Sequence, residues 1–336
     1  MTELNKIALK ILSNGKGILA ADESNGTMTK RLESVNVLSS PENRLLFRET
    51  LLSASGMKDF IGGVILYDET INQTSSSKQT IPELISNSGA VTGIKVDTGA
   101  KVLAGSTGEK ITEGLDALRE RLKEYYKLGA RFTKWRGVYN ISHEYPSKLS
   151  INSNAHALAR YSALVQECGM VPIVEPEVLM DGDHSAETCF NKTSKVIKKC
   201  FEELMIHKID LSGMILKPNM ILAGVSCEKQ LSNEDVAKLT LKCIKECVPL
   251  DVPGIAFLSG GQTDIDATKN LNLINKYNDT KFIMTYSYGR ALQREALKFW
   301  SKDISNVSDT QKVFNHRANM CTLAAQGKWT AELETK

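Results

Sequence analysis

The sequence predicts an α/β fold built as one closed barrel of eight parallel strands, (β/α)8, and three observations carry that prediction. Eight apolar runs, each too short for a helix, recur along the chain. Each run closes on a polar, charged or glycine-rich tip ahead of a loop. The tips follow one another at 46, 29, 39, 41, 40, 44 and 29 residues, and each interval holds a strand, a crossover helix and two loops.

In chain order, Leu4, Ile7, Ala8, Ile11 and Leu12 recur at helical spacing among Glu3, Lys6 and Lys10, so the N-terminus reads as an amphipathic packing helix and not as the apolar core of a signal peptide. The first strand is GILAAD, ending at Asp22. GGVILYD to Asp68, TGIKVD to Asp97 and RFTKWRGVY through Lys134 and Arg136 follow. MVPIVEPE to Glu177, GMILKPN around Lys217, GIAFLSGG to Gly261 and KFIMTYSYGR to Arg290 complete the set. Helices are expected between them, as in SNEDVAKLTLKCIKEC, where Ser232 is a capping residue with Asp235 three positions on. Eight βα units close most simply into a single domain over residues 1–336, the TIM-barrel fold. A doubly wound open sheet is the structural rival, and it carries a glycine-rich dinucleotide loop just after its first strand. GKGILA matches G-x-G-x-x-A loosely but enters a strand instead of leaving one, so the match is read as chance.

Composition narrows the function. The 336 residues, 42% apolar and 24% charged, suffice for a large core. Forty-two basic residues against 39 acidic ones leave a net charge of +3, too even for a nucleic-acid or membrane footprint but compatible with a pocket for a small anion. No run approaches the roughly 18 apolar residues of a membrane span. Seven cysteines without a Cys-x-x-Cys pair argue against a disulfide framework or zinc knuckle, so a reducing cytoplasm is the expected compartment. Cys243 and Cys247 lie four apart on a helix and read as small core residues. The five histidines, His143, His156, His184, His207 and His316, show no H-x-H or H-E-x-x-H spacing, so neither a metal nor another cofactor is expected. The acidic DGDH at Asp181 to His184 lacks the remaining ligands of a calcium loop and reads as solvated.

Barrel enzymes keep their chemistry at the C-terminal strand ends, where the charges of this sequence gather. Alternation along a strand puts Lys134 and Arg136 on one face, and Glu175 with Glu177 on one face. Salt bridges closing a barrel rim would explain the same convergence. Lys217 sits in the otherwise apolar MILKPNMIL, and Pro218 disfavours helix at the lysine. Burial and a neighbouring cation such as Lys134 lower an amine pKa, and moving it from about 10.4 to near 7 requires roughly 4 to 5 kcal/mol. A neutral amine there can form a Schiff base with a ketone. The other reading, a snorkelling strand-end lysine, stays open on these residues alone. At the tips of strands seven and eight, Ser259, Gly260, Gly261, Ser287, Gly289 and Arg290 form a candidate phosphate cradle, the position at which barrels commonly bind phosphate. Glycine-bearing turns would explain the glycines there but not the arginine.

The strings ILAADES, GGVILYDET, GIKVD, KWR, IVEPE, DGDH, LKPN, LSGGQ, SYGRA and AAQGKW, collinear from Lys16 to Trp329, together resemble class I fructose-bisphosphate aldolase. The resemblance implies that Lys217 forms the Schiff base and that Glu175 shuttles protons. It implies that Glu177 orients the lysine pair, that Lys134 tunes the amine and that Asp22 faces it. The phosphate on the ketose side would meet Ser259, Gly260, Gly289 and Arg290. The far phosphate and the sugar hydroxyls would meet Lys95, Arg136, Arg31 and Arg44. It further implies a phosphorylated sugar substrate, reversible cleavage of fructose 1,6-bisphosphate in glycolysis and gluconeogenesis, and a homotetramer. Many members of the family end in a tail whose terminal tyrosine assists proton transfer and tunes substrate preference. This sequence ends in ETK, and Thr27 stands where the family usually has serine. A Schiff-base aldolase for fructose 1-phosphate or sedoheptulose bisphosphate is the nearest alternative, and a non-catalytic barrel scaffold is the alternative of another class.

Overall fold

The eight expected runs are strands of one closed barrel in the computed structural model, which describes residues 1–335. The chain begins with α1 (Glu3–Leu12), β1 (Gly17–Ala21), α2 (Asn25–Glu33), α3 (Pro41–Leu52), α4 (Met57–Phe60), β2 (Ile61–Leu66), α5 (Asp68–Ile71), α6 (Ile81–Asn87) and β3 (Val91–Lys95). A hairpin of β4 (Gly99–Val102) and β5 (Lys110–Glu113) follows, then α7 (Leu118–Lys127), β6 (Phe132–Tyr139), α8 (Lys148–Glu167), β7 (Val171–Val178), α9 (Ala186–Ile206) and β8 (Ile215–Leu216). The last third runs α10 (Asn233–Cys247), β9 (Gly254–Phe257), α11 (Asp264–Tyr277), β10 (Ile283–Tyr288), α12 (Arg290–Trp300) and α13 (Val307–Ala325). Barrel neighbours run β1-β10-β9-β8-β7-β6-β3-β2 and back to β1, all parallel. An open doubly wound sheet is thereby ruled out.

Two apolar layers follow from strand alternation. Ile18 and Ala20 of β1, Ile65 of β2, Phe132 of β6, Val171 and Ile173 of β7, Ile215 and Ala256 fill the barrel interior. The intervening Leu19, Ala21, Val64, Leu66, Trp135, Val174, Leu216 and Phe257 face the helix layer. Continued toward the C-terminal strand ends, the interior parity meets Asp22, Lys134, Arg136, Glu175, Glu177, Lys217 and Ser287 in place of apolar residues. β1, β6, β7 and β8 therefore carry an apolar lower half and a charged upper end on the same face, and β10 ends in the Ser287 hydroxyl.

Asp68 fails this test and corrects the expectation that its strand tip carries chemistry. It shares the parity of Leu66, which faces the helix layer, and its carboxylate accepts from the Tyr125 hydroxyl at 2.7 Å on the outside. The hairpin β4–β5 was not predicted, because its residues are mostly exposed and carry little apolar alternation. Ser232 caps α10 as expected, accepting from the Asp235 amide at 3.2 Å.

The N-terminal helix α1 closes the barrel floor. Ala8, Ile11 and Leu12 are fully buried and join the interior cluster. Burying an aliphatic side chain of that size contributes roughly 1.5–3 kcal/mol. The floor is tight enough to demand glycine. A Cβ on Gly62 would stand 1.9 Å from the Ile11 carbonyl oxygen, and one on Gly93 would stand 2.3 Å from the Phe132 ring.

Candidate active site

The mouth of the barrel holds a cavity of about 310 Å³, lined by Asp22, Glu23, Thr27, Arg31, Lys95, Asp97, Lys134, Arg136, Glu175, Glu177, Lys217, Ser259, Gly260, Ser287, Gly289 and Arg290, among others. Its size falls within the range of small-molecule sites.

Four strands supply its centre. Lys217 follows β8 directly, and its backbone amide donates to the Val174 carbonyl at 2.8 Å, which carries the parallel pairing one residue past the strand. Its side-chain nitrogen Nζ lies 3.1 Å from Glu175 Oε1. The other oxygen, Oε2, lies 3.5 Å from Lys134 Nζ, and Lys134 in turn meets Asp22 Oδ2 at 2.7 Å. Glu175 thus bridges two lysines, and Asp22 meets one of them from β1 across the barrel. All four side chains are buried or nearly so.

Burial dominates the electrostatics and the opposite charges overturn it. Desolvation alone would raise the Asp22 carboxyl, but Lys134 and Lys217 hold it down at about 2. Glu175 is likewise pushed up by burial and brought below the usual carboxylate range by Lys217, Lys134 and Arg136. Burial would lower Lys134, yet Asp22, Glu175 and Asp97 raise it above an ordinary lysine. Lys134 is accordingly a firmly held cation with its charge compensated, not the bare like charge pictured from sequence.

The barrel order spreads the remaining cations and donors. Ser259 and Gly260 lie beyond β9, and Ser287, Gly289 and Arg290 lie at the end of β10 and the first residue of α12. In the eight-strand order, β9 stands opposite β3, which carries Lys95, and β10 stands opposite β6, which carries Arg136. Lys217 on β8 falls on the arc between the two groups. The Ser287 hydroxyl is buried in this wall with no hydrogen-bond partner among the described residues. Arg290 is exposed at the rim.

Three expectations need correction. Glu177 meets the Arg136 guanidinium, not the lysine pair. Arg44 does not line the cavity: Glu69 captures it through a 2.8 Å bond from Nε. Gly261 does not line it either. It adopts a left-handed φ of +76°, with Met180 2.7 Å from the place of a Cβ, so the turn itself requires the glycine.

Sequence reasoning missed the support beneath Arg31. Glu23 pairs with Arg31 and accepts from Gln293 Nε2 at 2.9 Å. The fully buried Arg48 donates to the Glu23 carbonyl at 2.8 Å and to Thr70 at 2.7 Å. These residues come from four distant segments, and no spacing betrays them. Two histidines read as unconnected also meet: His156 on α8 and His207 after α9 have ring centroids 5.0 Å apart.

A closed (β/α)8 barrel whose mouth pairs a buried lysine with a carboxylate, between facing groups of cations and hydrogen-bond donors, has the form of a barrel enzyme with an amine at its centre. The family model described as Glycolytic: Fructose-bisphosphate aldolase class-I matches residues 3–336. The chain belongs to the class I fructose-bisphosphate aldolase family. It is 48% identical to the probable fructose-bisphosphate aldolase class 1 of Xylella fastidiosa (strain Temecula1), over 97% of this chain and 98% of that one. It is 47% identical to fructose-bisphosphate aldolase B of Gallus gallus, over 99% and 92%. Its fold superposes with a TM-score of 0.96 on fructose-bisphosphate aldolase of Plasmodium falciparum, solved in complex with TRAP and a small-molecule inhibitor, at 42% identity over 98% of this chain and 95% of that one.

Proposed function

We propose that this protein reversibly cleaves fructose 1,6-bisphosphate to dihydroxyacetone phosphate and glyceraldehyde 3-phosphate through a Schiff base on Lys217. The observation that carries the reading is the 3.1 Å contact between Lys217 Nζ and Glu175 Oε1, set between facing anion-binding groups. The neutral amine attacks the C2 ketone, and Glu175 returns a proton to the departing carbinolamine hydroxyl, so water leaves and an iminium remains. The iminium draws electrons from the C3–C4 bond. Glu175 then takes the C4 hydroxyl proton, the bond breaks, glyceraldehyde 3-phosphate departs, and the electron pair rests in an enamine. Protonation at C3 and hydrolysis release dihydroxyacetone phosphate and restore the amine.

Lys134 and Asp22 hold the polar side of the scissile bond. Ser259, Gly260, Ser287, Gly289 and Arg290 take the ketose phosphate, with the unpartnered Ser287 hydroxyl as one donor. Lys95, Arg136 and Arg31 take the far phosphate and hydroxyls, and Glu177 fixes Arg136. Two clamped ends hold the scissile bond in register with the amine. The same reading includes a homotetramer, which sizing with light scattering tests. It also includes a reducing, cytoplasmic setting, supported by seven free cysteines and tested by imaging the tagged protein in its cell. Among the described residues no helix is long and apolar enough to cross a membrane.

Incubation with dihydroxyacetone phosphate and excess EDTA, borohydride reduction and peptide mass spectrometry test the mechanism. A reduced adduct on Lys217 is expected. An unmodified Lys217 in folded protein that demonstrably binds the ligand would overturn it and favour the scaffold. Relative turnover of fructose 1,6-bisphosphate, fructose 1-phosphate and sedoheptulose bisphosphate decides the substrate.

A further inference from the structure

We propose that His156, Glu203 and His207 form a divalent transition-metal site, of zinc class, on the outer helix layer. Glu203 and His207 lie four residues apart at the end of α9 and so share a face. His156 reaches them from α8, the neighbouring crossover, and both helices pack on β7. One ligand atom from each residue lies within 4.8 Å of the other two. Glu203 Oε2 is 3.4 Å from His156 Nδ1, and the His207 ring lies beside the same oxygen, its Nδ1 4.0 Å away. The carboxylate's other oxygen, Oε1, is occupied by Lys199 Nζ at 2.9 Å, which leaves Oε2 for the histidines.

One of the two rings is already oriented by a backbone bond. His207 Nδ1 stands 2.9 Å from the Glu203 carbonyl. A carbonyl can only accept, so this bond selects the Nδ1–H tautomer and leaves the Nε2 lone pair for a metal. Tetrahedral zinc, with bonds of about 2.0–2.1 Å, needs ligand atoms about 3.3 Å apart. Modest side-chain rotation closes the group to that spacing, and the His156 side chain, 53% exposed, has room to turn. Two imidazoles with one carboxylate suit zinc, nickel or copper and not magnesium or calcium. Exposure leaves the fourth position to water. A bound ion would staple α8 to α9 behind the strand that carries Glu175, well away from any step of the chemistry.

Titration of the full chain with zinc chloride in a calorimeter is the test, run beside His156→Ala, His207→Ala and Lys199→Met. One equivalent bound at micromolar zinc is expected, with affinity falling at least tenfold in either histidine variant and rising severalfold in Lys199→Met. Zinc should raise the unfolding midpoint of the wild type and not of the histidine variants, whose zinc-free turnover should be unchanged. Should an alanine variant fold poorly, His156→Gln and His207→Gln replace it. Two results would overturn the site: no binding to the wild type at micromolar zinc, or histidine variants that bind as the wild type does, which would assign the metal to thiols elsewhere.

Discussion

At the scale of single residues, the bridge from Lys217 through Glu175 to Lys134 and Asp22 makes separable predictions. Glu175→Gln keeps the size and removes the base, so kcat should fall by about 10²–10⁴-fold with a smaller change in KM, read in a coupled cleavage assay. On the proposed reading Arg31 binds the far phosphate, so Arg31→Ala should lower kcat/KM for the bisphosphate by about tenfold or more, the worth of a charge-assisted hydrogen bond, while sparing fructose 1-phosphate. Asp22 titrates at about 2 in the folded state against 3.8 ordinarily. A depressed carboxyl contributes stability that is complete above the unfolded value and is lost as pH falls through the folded one. The window is therefore from about pH 4 down to about pH 2, and the contribution is about 2 kcal/mol. Denaturant unfolding across that range should show Asp22→Asn with a flatter acid limb than the wild type. Most of this centre was legible in the sequence, because alternation alone places Lys134 with Arg136 and Glu175 with Glu177. The partner each group chooses was not legible: Glu177 goes to Arg136 and Arg44 goes to Glu69 through long-range packing that no local pattern encodes.

Among the elements, the strands were legible and the pieces that decorate them were not. Interior strands buried on both faces read as short apolar runs, and all eight are present. β8 is the shortest, with two ladder residues ahead of Pro218, which has no amide to donate. Its role survives because Lys217 is held by its own backbone bond to β7. The β4–β5 hairpin buries little, so no apolar alternation marks it, and Asp68 shows that a charge at a strand end joins the mouth only when its parity faces inward. The floor gives the element-scale prediction. Gly93→Ala pushes a methyl into the Phe132 ring, so it should cost about 1–3 kcal/mol in denaturant melts. Adding Phe132→Leu should restore part of that, a coupling the double-mutant comparison measures.

For the whole molecule, closure depends on segments far apart in the chain. β1 pairs with β10, α1 plugs the floor, and Glu334 accepts from Arg317 at 2.9 Å and from Trp329 at 2.7 Å. Arg317 and Trp329 are both buried, so Glu334→Ala leaves a guanidinium and an indole N–H short of an acceptor. The expected loss is about 1–3 kcal/mol, seen as a lower melting midpoint at unchanged kcat, since none of these residues lines the mouth. The sealed floor has a consequence for traffic. With Ile11 and Leu12 fully buried beneath the lysine, the barrel is a vessel that opens at its mouth and not through this floor. On the proposed chemistry, substrate, both products and the hydrolytic water share that doorway, so each exchange competes for the same passage.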